Sequence, residues 1–403
     1  VLRLIMEDRY PEKDFEIVNT ALTAINSHLI LPIARECIDK EADIVVVYMG
    51  NNEVVGPFGP GTVFTKEMPN ITVLKLGLAF KQFRIGQFVD HVVRSAVGSR
   101  ENESWSGVAM FKDKHVHPHD PRLTQVYQHF QSQLESLVEV GAKAGVPVFV
   151  SNIATNLKDS GPFASVLPET LSGEQKEVWR KAVNDGLKLL RAQLVSEAYL
   201  KFQEAGEIEP DHADLQFNMG QCLLRLEDSQ KPKSYFVKAR ELDLLRFRAD
   251  ERVNQIIRDA CEGKEKDGVY FVDAIKYFEE QSKDGIPGYD FFWDHVHLKF
   301  AGNYLLARLY AVQIAHALSL RGVEITEKPW LNTQECAVRL ALTRWGQYSM
   351  TNTMVARLNQ YPFSEQSNRA ELNAKMLEES KLLKLDANKE VLQAMAALYQ
   401  KAI

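Results

Sequence analysis

The chain has 403 residues, which at about 100 to 200 residues per domain predicts two or three domains with ample cores and excludes a disulfide-stapled miniprotein. It is 45% hydrophobic and 25% charged, like soluble globular chains, and no apolar run approaches the ~18 residues of a transmembrane helix, so disordered, collagenous and integral-membrane classes are excluded. Acidic residues outnumber basic ones, 54 to 48, and the basic ones are scattered, so the positive field needed for nonspecific nucleic-acid binding is lacking and no nucleic-acid partner is expected.

Residues 1–9 read as the late part of an amphipathic helix stopped by Tyr10 and Pro11, so the sequence is expected to open inside a domain, and localisation is left unassigned. Residues 15–19 (FEIVN) and 43–48 (DIVVVY) are β-branched runs on either side of a helical stretch, 27–40, which predicts a βαβ unit. Residues 74–97 form an amphipathic helix whose apolar face is expected to pack into the core. His115, His117 and His119 alternate in KHVHPHD, where Pro118 and Pro121 predict a surface loop and no metal site. A long amphipathic helix, 122–143, leads into a third run, 146–151 (VPVFVS), and a fourth follows at 269–273 (VYFVD). Continuous apolar strands alternating with helices predict an α/β fold, a parallel sheet covered on both faces, with ligands beyond the C-terminal ends of its strands.

Between the third and fourth runs lies a helical block, about 172–261. Within it Phe202 and Ala205 recur 34 positions later as Phe236 and Ala239, and Pro210 closes the first unit where Leu244 closes the second. That period is the tetratricopeptide length. The first unit carries Ala198 at a small-residue position that Pro232 occupies in the second, which also shows Met219, Gly220 and Leu223 on its first helix. A helix, 297–321, and a helical tail, 324–403, complete the chain. Cys37, Cys222, Cys261 and Cys336 form no CxxC pair and are expected as reduced thiols.

Two loops carry candidate chemistry. The run at 43–48 leads into Gly50-Asn51-Asn52-Glu53, and Asp294-His295-Val296-His297 precedes the late helix. An Asp three residues before a His brings carboxylate and imidazole to a common point, where the Asp orients and charge-stabilises a general base. An Asn at a strand end offers its amide NH2 to a developing oxyanion. The loop after Asn52, with Gly56, Gly59 and Gly61, is read as a turn beside the site rather than a phosphate cradle, because no Lys-Ser/Thr pair follows.

These blocks resemble the SGNH (GDSL-like) hydrolases, in particular bacterial members that carry tetratricopeptide (TPR) repeats. Gly50-Asn51-Asn52-Glu53 is similar to the family's third block and Asp294 to His297 to its fifth; residues 18–27 are similar to its second, with Ala21 where a glycine usually stands. Residues 150–165 and the GIPG before DFFWDHVH fit the repeat-bearing subgroup. The resemblance implies a flavodoxin-like parallel sheet with an inserted TPR-like segment. It also implies a serine hydrolase acting on an ester through an acyl-serine, with no cofactor and no metal. His297 would be the base, Asp294 its orienting acid, and Asn52 with the Ala21 N–H the oxyanion donors. The first block, which holds the nucleophile on a central strand, has no counterpart here; a chain of these residues alone is expected to be inactive and to expose unpaired strand edges, while a longer chain would catalyse. The implied domains are 1–165 and 263–322 for the two parts of the hydrolase-like unit, 166–262 for the TPR-like insertion and 323–403 for the helical C-terminal region. Expected partners are a small-molecule, carbohydrate or lipid ester and a protein bound by the TPR-like helices. A non-catalytic TPR scaffold and an O-acyltransferase on the same triad are the alternatives.

Overall fold

A computed structural model describes residues 1–63, 110–228, 232–324, 326 and 328–384; the helix expected at 74–97 and the end of the C-terminal tail lie outside the described residues. Three short strands form one parallel sheet: β1 (Val45–Tyr48), β2 (Val148–Ser151) and β3 (Val269–Val272), in the order β1-β2-β3. Val45 stands opposite Val148, and Val148 opposite Val269, so the three expected runs align in register.

The centre of the sheet, at β2, is buried on both faces, whereas Val46 of the edge strand β1 is 40% exposed. The side chains of β2 alternate, and all four of its residues are buried. Val148 and Val150 join a core with Leu31 and Ala34 of α2 (Ser27–Asp39), Phe130 and Leu134 of α3 (Arg122–Ala144), and Val253 and Ile257 of the helix Glu251–Cys261. Phe149 points the other way, into a core with Ile5 and Met6 of α1 (Leu2–Arg9) and Tyr310, Ala311 and Ile314 of the long helix Phe300–Leu320. Burying a side chain such as Phe149 contributes about 2–3 kcal/mol, and its ring stacks on Tyr270 at 4.7 Å. The result is a three-layer α/β arrangement. Helix α3 lies close on the strand it feeds: a Cβ at Gly141 would fall 2.2 Å from Val148 Cγ2.

The connection from β2 to β3 contains α4 (Gly173–Arg191), α5 (Val195–Ile208), α6 (Ala213–Arg225), α7 (Pro232–Leu242) and α8 (Glu251–Cys261). Ser172 starts α4 with a capping box closed by Gln175. The 34-residue recurrence has a packing counterpart. A Cβ at Gly186 of α4 would meet the ring of Phe202 of α5 at 2.7 Å, and one at Gly220 of α6 would meet Phe236 of α7 at 2.9 Å. Each hairpin is thus closed by an aromatic ring seated on a glycine. Pro232 is tolerated where Ala198 stands in the first hairpin because it falls in the first turn of α7, where a missing N–H costs no helical bond. Helix α8, capped by the Asp250 side chain on the Val253 N–H at 2.9 Å, returns to cover β3.

After β3 come α9 (Ala274–Gln281), α10 (Phe300–Leu320), α11 (Thr333–Arg339), α12 (Arg344–Leu358) and helical residues 369–384. Two expectations need correction. Residues 15–19 are not a strand: among the described residues they have no ladder partner, and Ile17 and Val18 are exposed at 47% and 71%. A β-branched run without a neighbour to take its N–H and C=O groups gains nothing from extension, and Asp14 and Glu16 keep it in water. The helix expected from His297 begins only at Phe300, because Phe292 and Leu298 pair across a tight antiparallel bridge and the Trp293 N–H donates to the His297 carbonyl at 2.8 Å. The DHVH motif therefore sits in a closed loop.

Candidate functional site

The loops that leave β1 and β2 and the segment 286–299 meet in one apolar cluster, which includes Val55, Phe163, Phe247, Tyr289 and Trp293. This is the C-terminal side of the sheet, where α/β proteins build sites.

The acid–base side is set by Asp294. Its side chain is 1% exposed, and its Oδ1 accepts the backbone N–H of Val296 at 3.1 Å and of His297 at 3.0 Å. Both carboxylate oxygens lie 2.8 Å from His297 Nδ1. His295 Nδ1 is 3.2 Å from Oδ1 without hydrogen-bond geometry, and Arg357 Nη1 of α12 is 3.6 Å from Oδ2. Burial pushes the Asp294 carboxyl up, but the two neighbouring imidazoles and the hydrogen bonds from His297 prevail and hold it well below the usual carboxylate range. Ionised, Asp294 fixes the His297 tautomer with the proton on Nδ1, which leaves Nε2 as the free lone pair on a side chain 52% exposed. His295, by contrast, is buried among Phe163, Phe247 and Phe363, and desolvation pushes its pKa down.

The loop is held from behind by Asn156, on the segment after β2. Its Nδ2 donates to the Asp294 carbonyl at 3.0 Å and its backbone N–H to the His295 carbonyl at 3.0 Å. Asn156 is in turn held by Arg248, whose Nη1 donates to the Asn156 carbonyl at 3.2 Å and the Ser160 carbonyl at 3.0 Å, while Nη2 pairs with Asp243.

The other side is the β1 loop. Gly50 takes φ +152°, and a Cβ there would fall 2.9 Å from Val253 Cγ1, so glycine alone fits this exit from the strand. The Asn51 Oδ1 accepts the Ala249 N–H at 3.0 Å. Asn52 is half-buried and its Nδ2 donates to the Ile25 carbonyl at 3.0 Å. Glu53 is buried and accepts both the Ser27 N–H at 3.0 Å and the Ser27 hydroxyl at 2.7 Å; desolvation raises its pKa to about 7 against those two bonds. Ala21 lies in the exposed segment before α2, and its N–H donates to Asn19 Oδ1 at 3.0 Å.

Asn52, Asp294 and His297 thus belong to loops that share one end of the sheet, while Ala21 faces solvent. Among the described residues His297 is bonded to no hydroxyl. Asp294, His295 and His297 are also the one group of described residues with metal-ligand spacing, their atoms lying within 4.8 Å. The Asp294 oxygens accept from the Val296 and His297 N–H groups and lie against His297 Nδ1, while His295 Nδ1 has no hydrogen-bond partner among the described residues. The alternating histidines 115, 117 and 119 are exposed and form no such group. Sequence reasoning missed Asn156, Arg248, Arg357 and the Ser27–Glu53 pair, because each acts from an element remote in sequence with no spacing to betray it. Comparison with protein-family models, curated proteins and solved structures found no match.

Proposed function

We propose that this chain is part of an SGNH-type serine hydrolase that cleaves an ester through an acyl-serine. In this reading the three-layer sheet is a flavodoxin-like core and the two hairpins are a TPR-type pair. The observation that carries it is the Asp294–His297 contact: a buried carboxylate held by two backbone N–H groups and 2.8 Å from Nδ1, with the imidazole half-exposed. His297 would take the serine proton through Nε2 and return it to the leaving alkoxide; Asp294 would hold the ring and stabilise the imidazolium between those steps. Asn52 would turn its Nδ2 from the Ile25 carbonyl to the tetrahedral oxyanion, and Ala21 would add a backbone N–H. The blocks that resemble the family name no nucleophile among these residues.

The test is to assay a longer chain, extended upstream, on p-nitrophenyl acetate beside His297→Ala. Turnover that disappears in the variant supports the reading, and turnover indifferent to His297 sinks it.

A second reading has its own observations. Both oxyanion donors are engaged elsewhere, Asn52 with the Ile25 carbonyl and Ala21 with Asn19, and the hairpins present a groove lined by Gln203, Glu207, Met219, Tyr235 and Lys238. These favour a non-catalytic scaffold that binds a protein segment. An O-acyltransferase would use the same groups, with a sugar hydroxyl in place of water.

A further inference from the structure

The C-terminal helical region is built onto the candidate site. Met354 and Leu358 of α12 are buried in the cluster that holds Phe163, Phe247 and Trp293, and Thr351 is fully buried one turn earlier. Beyond α12, the Asn368 Nδ2 donates to the Asp159 carbonyl at 2.9 Å, the Gln366 side chain reaches Ser160 and Gly161, and Glu379 pairs with Lys299 at 3.0 Å. This docking brings one permanent cation to the dyad. Arg357 Nη1 stands 3.6 Å from the same Asp294 Oδ2 that lies 2.8 Å from His297 Nδ1. Arg357 is 39% exposed, its guanidinium carbon is 6.0 Å from the Phe363 ring centre, and among the described residues it donates no hydrogen bond.

We propose that Arg357 is a positioning residue, which shares the Asp294 carboxylate with His297 and biases the imidazole against protonation. The inference rests on the reading of His297 as base. A buried aspartate beside a histidine stabilises imidazolium and raises its pKa; a guanidinium on the same carboxylate offsets part of that attraction and repels the imidazolium directly. Arginine stays charged throughout the range in which histidine titrates, so the bias is constant. The other charged groups nearby are accounted for. His295 packs 5.7 Å from the His297 ring, Arg248 lies behind His295 and is held by Asp243, and Lys299 is taken by Glu379.

The experiment is a histidine-ring NMR titration of this chain, with the His297 signal assigned by His297→Gln. Arg357→Gln and Arg357→Met, the second keeping an aliphatic stem against Phe363, should each raise the His297 midpoint by about half to one pH unit, a three- to tenfold gain in proton affinity. Arg357→Lys should keep it near the unsubstituted value. Arg339→Gln, which breaks a remote pair with Asp8, should leave it unchanged. A neutral variant that keeps the unsubstituted melting curve yet leaves the midpoint in place, or lowers it, overturns the proposal; so does failure of both neutral variants to fold, which would make Arg357 structural. The readout needs no catalysis. A shifted midpoint with no ester turnover in the longer chain therefore fails the hydrolase reading alone, and turnover with an unmoved midpoint fails this inference alone.

Discussion

The two halves of the candidate site are built on opposite principles. On the acid–base side, Asp294 is buried but satisfied by two backbone N–H groups and an imidazole, and Asn156 and Arg248 secure its loop from behind. On the oxyanion side, Glu53 is buried with Ser27 as its one donor among the described residues, Asn52 is spent on a carbonyl, and Ala21 lies in open chain. One half is preorganised around a charge that its surroundings favour; the other contains a carboxyl that its surroundings push toward the neutral form. Preorganisation of donors and acceptors is what catalysis draws on, so in a hydrolase of this kind the oxyanion side is the part that has to move.

The largest effect should come from the better-built half. Asp294→Ala removes the acceptor of two backbone N–H groups and leaves His295 and Arg357 facing an empty site. It should destabilise the chain by about 3 kcal/mol, read from urea unfolding, and reduce ester turnover of a longer chain by about a thousandfold or more. A loss below ~1 kcal/mol would mean that the loop is held by its bridge and not by the carboxylate.

The second prediction separates the halves by pH. Glu53 has a folded pKa of about 7 against an ordinary 4.5, so the folded state holds its proton more tightly than the unfolded state. Its contribution to stability is fully present below pH 4.5 and is lost as pH rises through about 7. Asp294 has the opposite sign: its pKa is depressed below 3.8, so its contribution is present above that pH and is lost only as pH falls through the lower folded value. Unfolding measured across this range should therefore show Glu53→Gln removing about 2–3 kcal/mol of decline between the two Glu53 values. The difference from the parent chain is the quantity to read, because Asp214, raised by burial to about 6, titrates in the same window. A decline that survives in Glu53→Gln would place the proton elsewhere.

How much of this was legible beforehand depends on range. The runs at 43–48, 146–151 and 269–273 became strands because each is a short, mainly apolar run that finds a parallel neighbour in register. The run at 15–19 has similar letters but no ladder partner among the described residues, and pairing is a property of two segments that one segment does not reveal. Asp294 and His297 were visible as a local spacing. Asn156, Arg248 and Arg357 reach the same loop from segments that fold back onto it, and only the tertiary structure joins them. The hairpin repeat was visible by period: Phe202 and Phe236 recur 34 positions apart and Gly220 was named on the second unit's first helix, whereas the role of Gly186 and Gly220 as the floor beneath a ring is a relation between helices.

A third prediction tests the support behind the dyad. Asn156→Ala deletes the donor to the Asp294 carbonyl and the acceptor of the Asp159 N–H while sparing the backbone N–H that bonds His295, and should cost about 1–2 kcal/mol. If the two halves are as independent as their separate hydrogen-bond sets imply, the combined Asn156→Ala and Glu53→Gln variant should show additive losses within about 0.5 kcal/mol. A larger coupling would mean that the loops communicate through the shared cluster of Val55, Phe163 and Trp293.

The smallest effect belongs to Ala21. It is exposed and its φ is not positive; the left-handed residue of the segment is Ala24, at φ 60°. Ala21→Gly should therefore change stability by no more than about 0.5 kcal/mol, the ordinary range for a surface position. Its effect on turnover is the more telling number. If the Ala21 N–H must leave Asn19 and swing to the oxyanion, glycine frees the backbone for that move and turnover in a longer chain should rise a few-fold, with binding little altered. If Asn52 alone serves the oxyanion, Ala21→Gly should be silent, and Asn52→Ala should then carry the whole oxyanion loss of about a hundredfold or more. Measuring kcat for the two substitutions side by side decides whether the oxyanion side of the site has one donor or two.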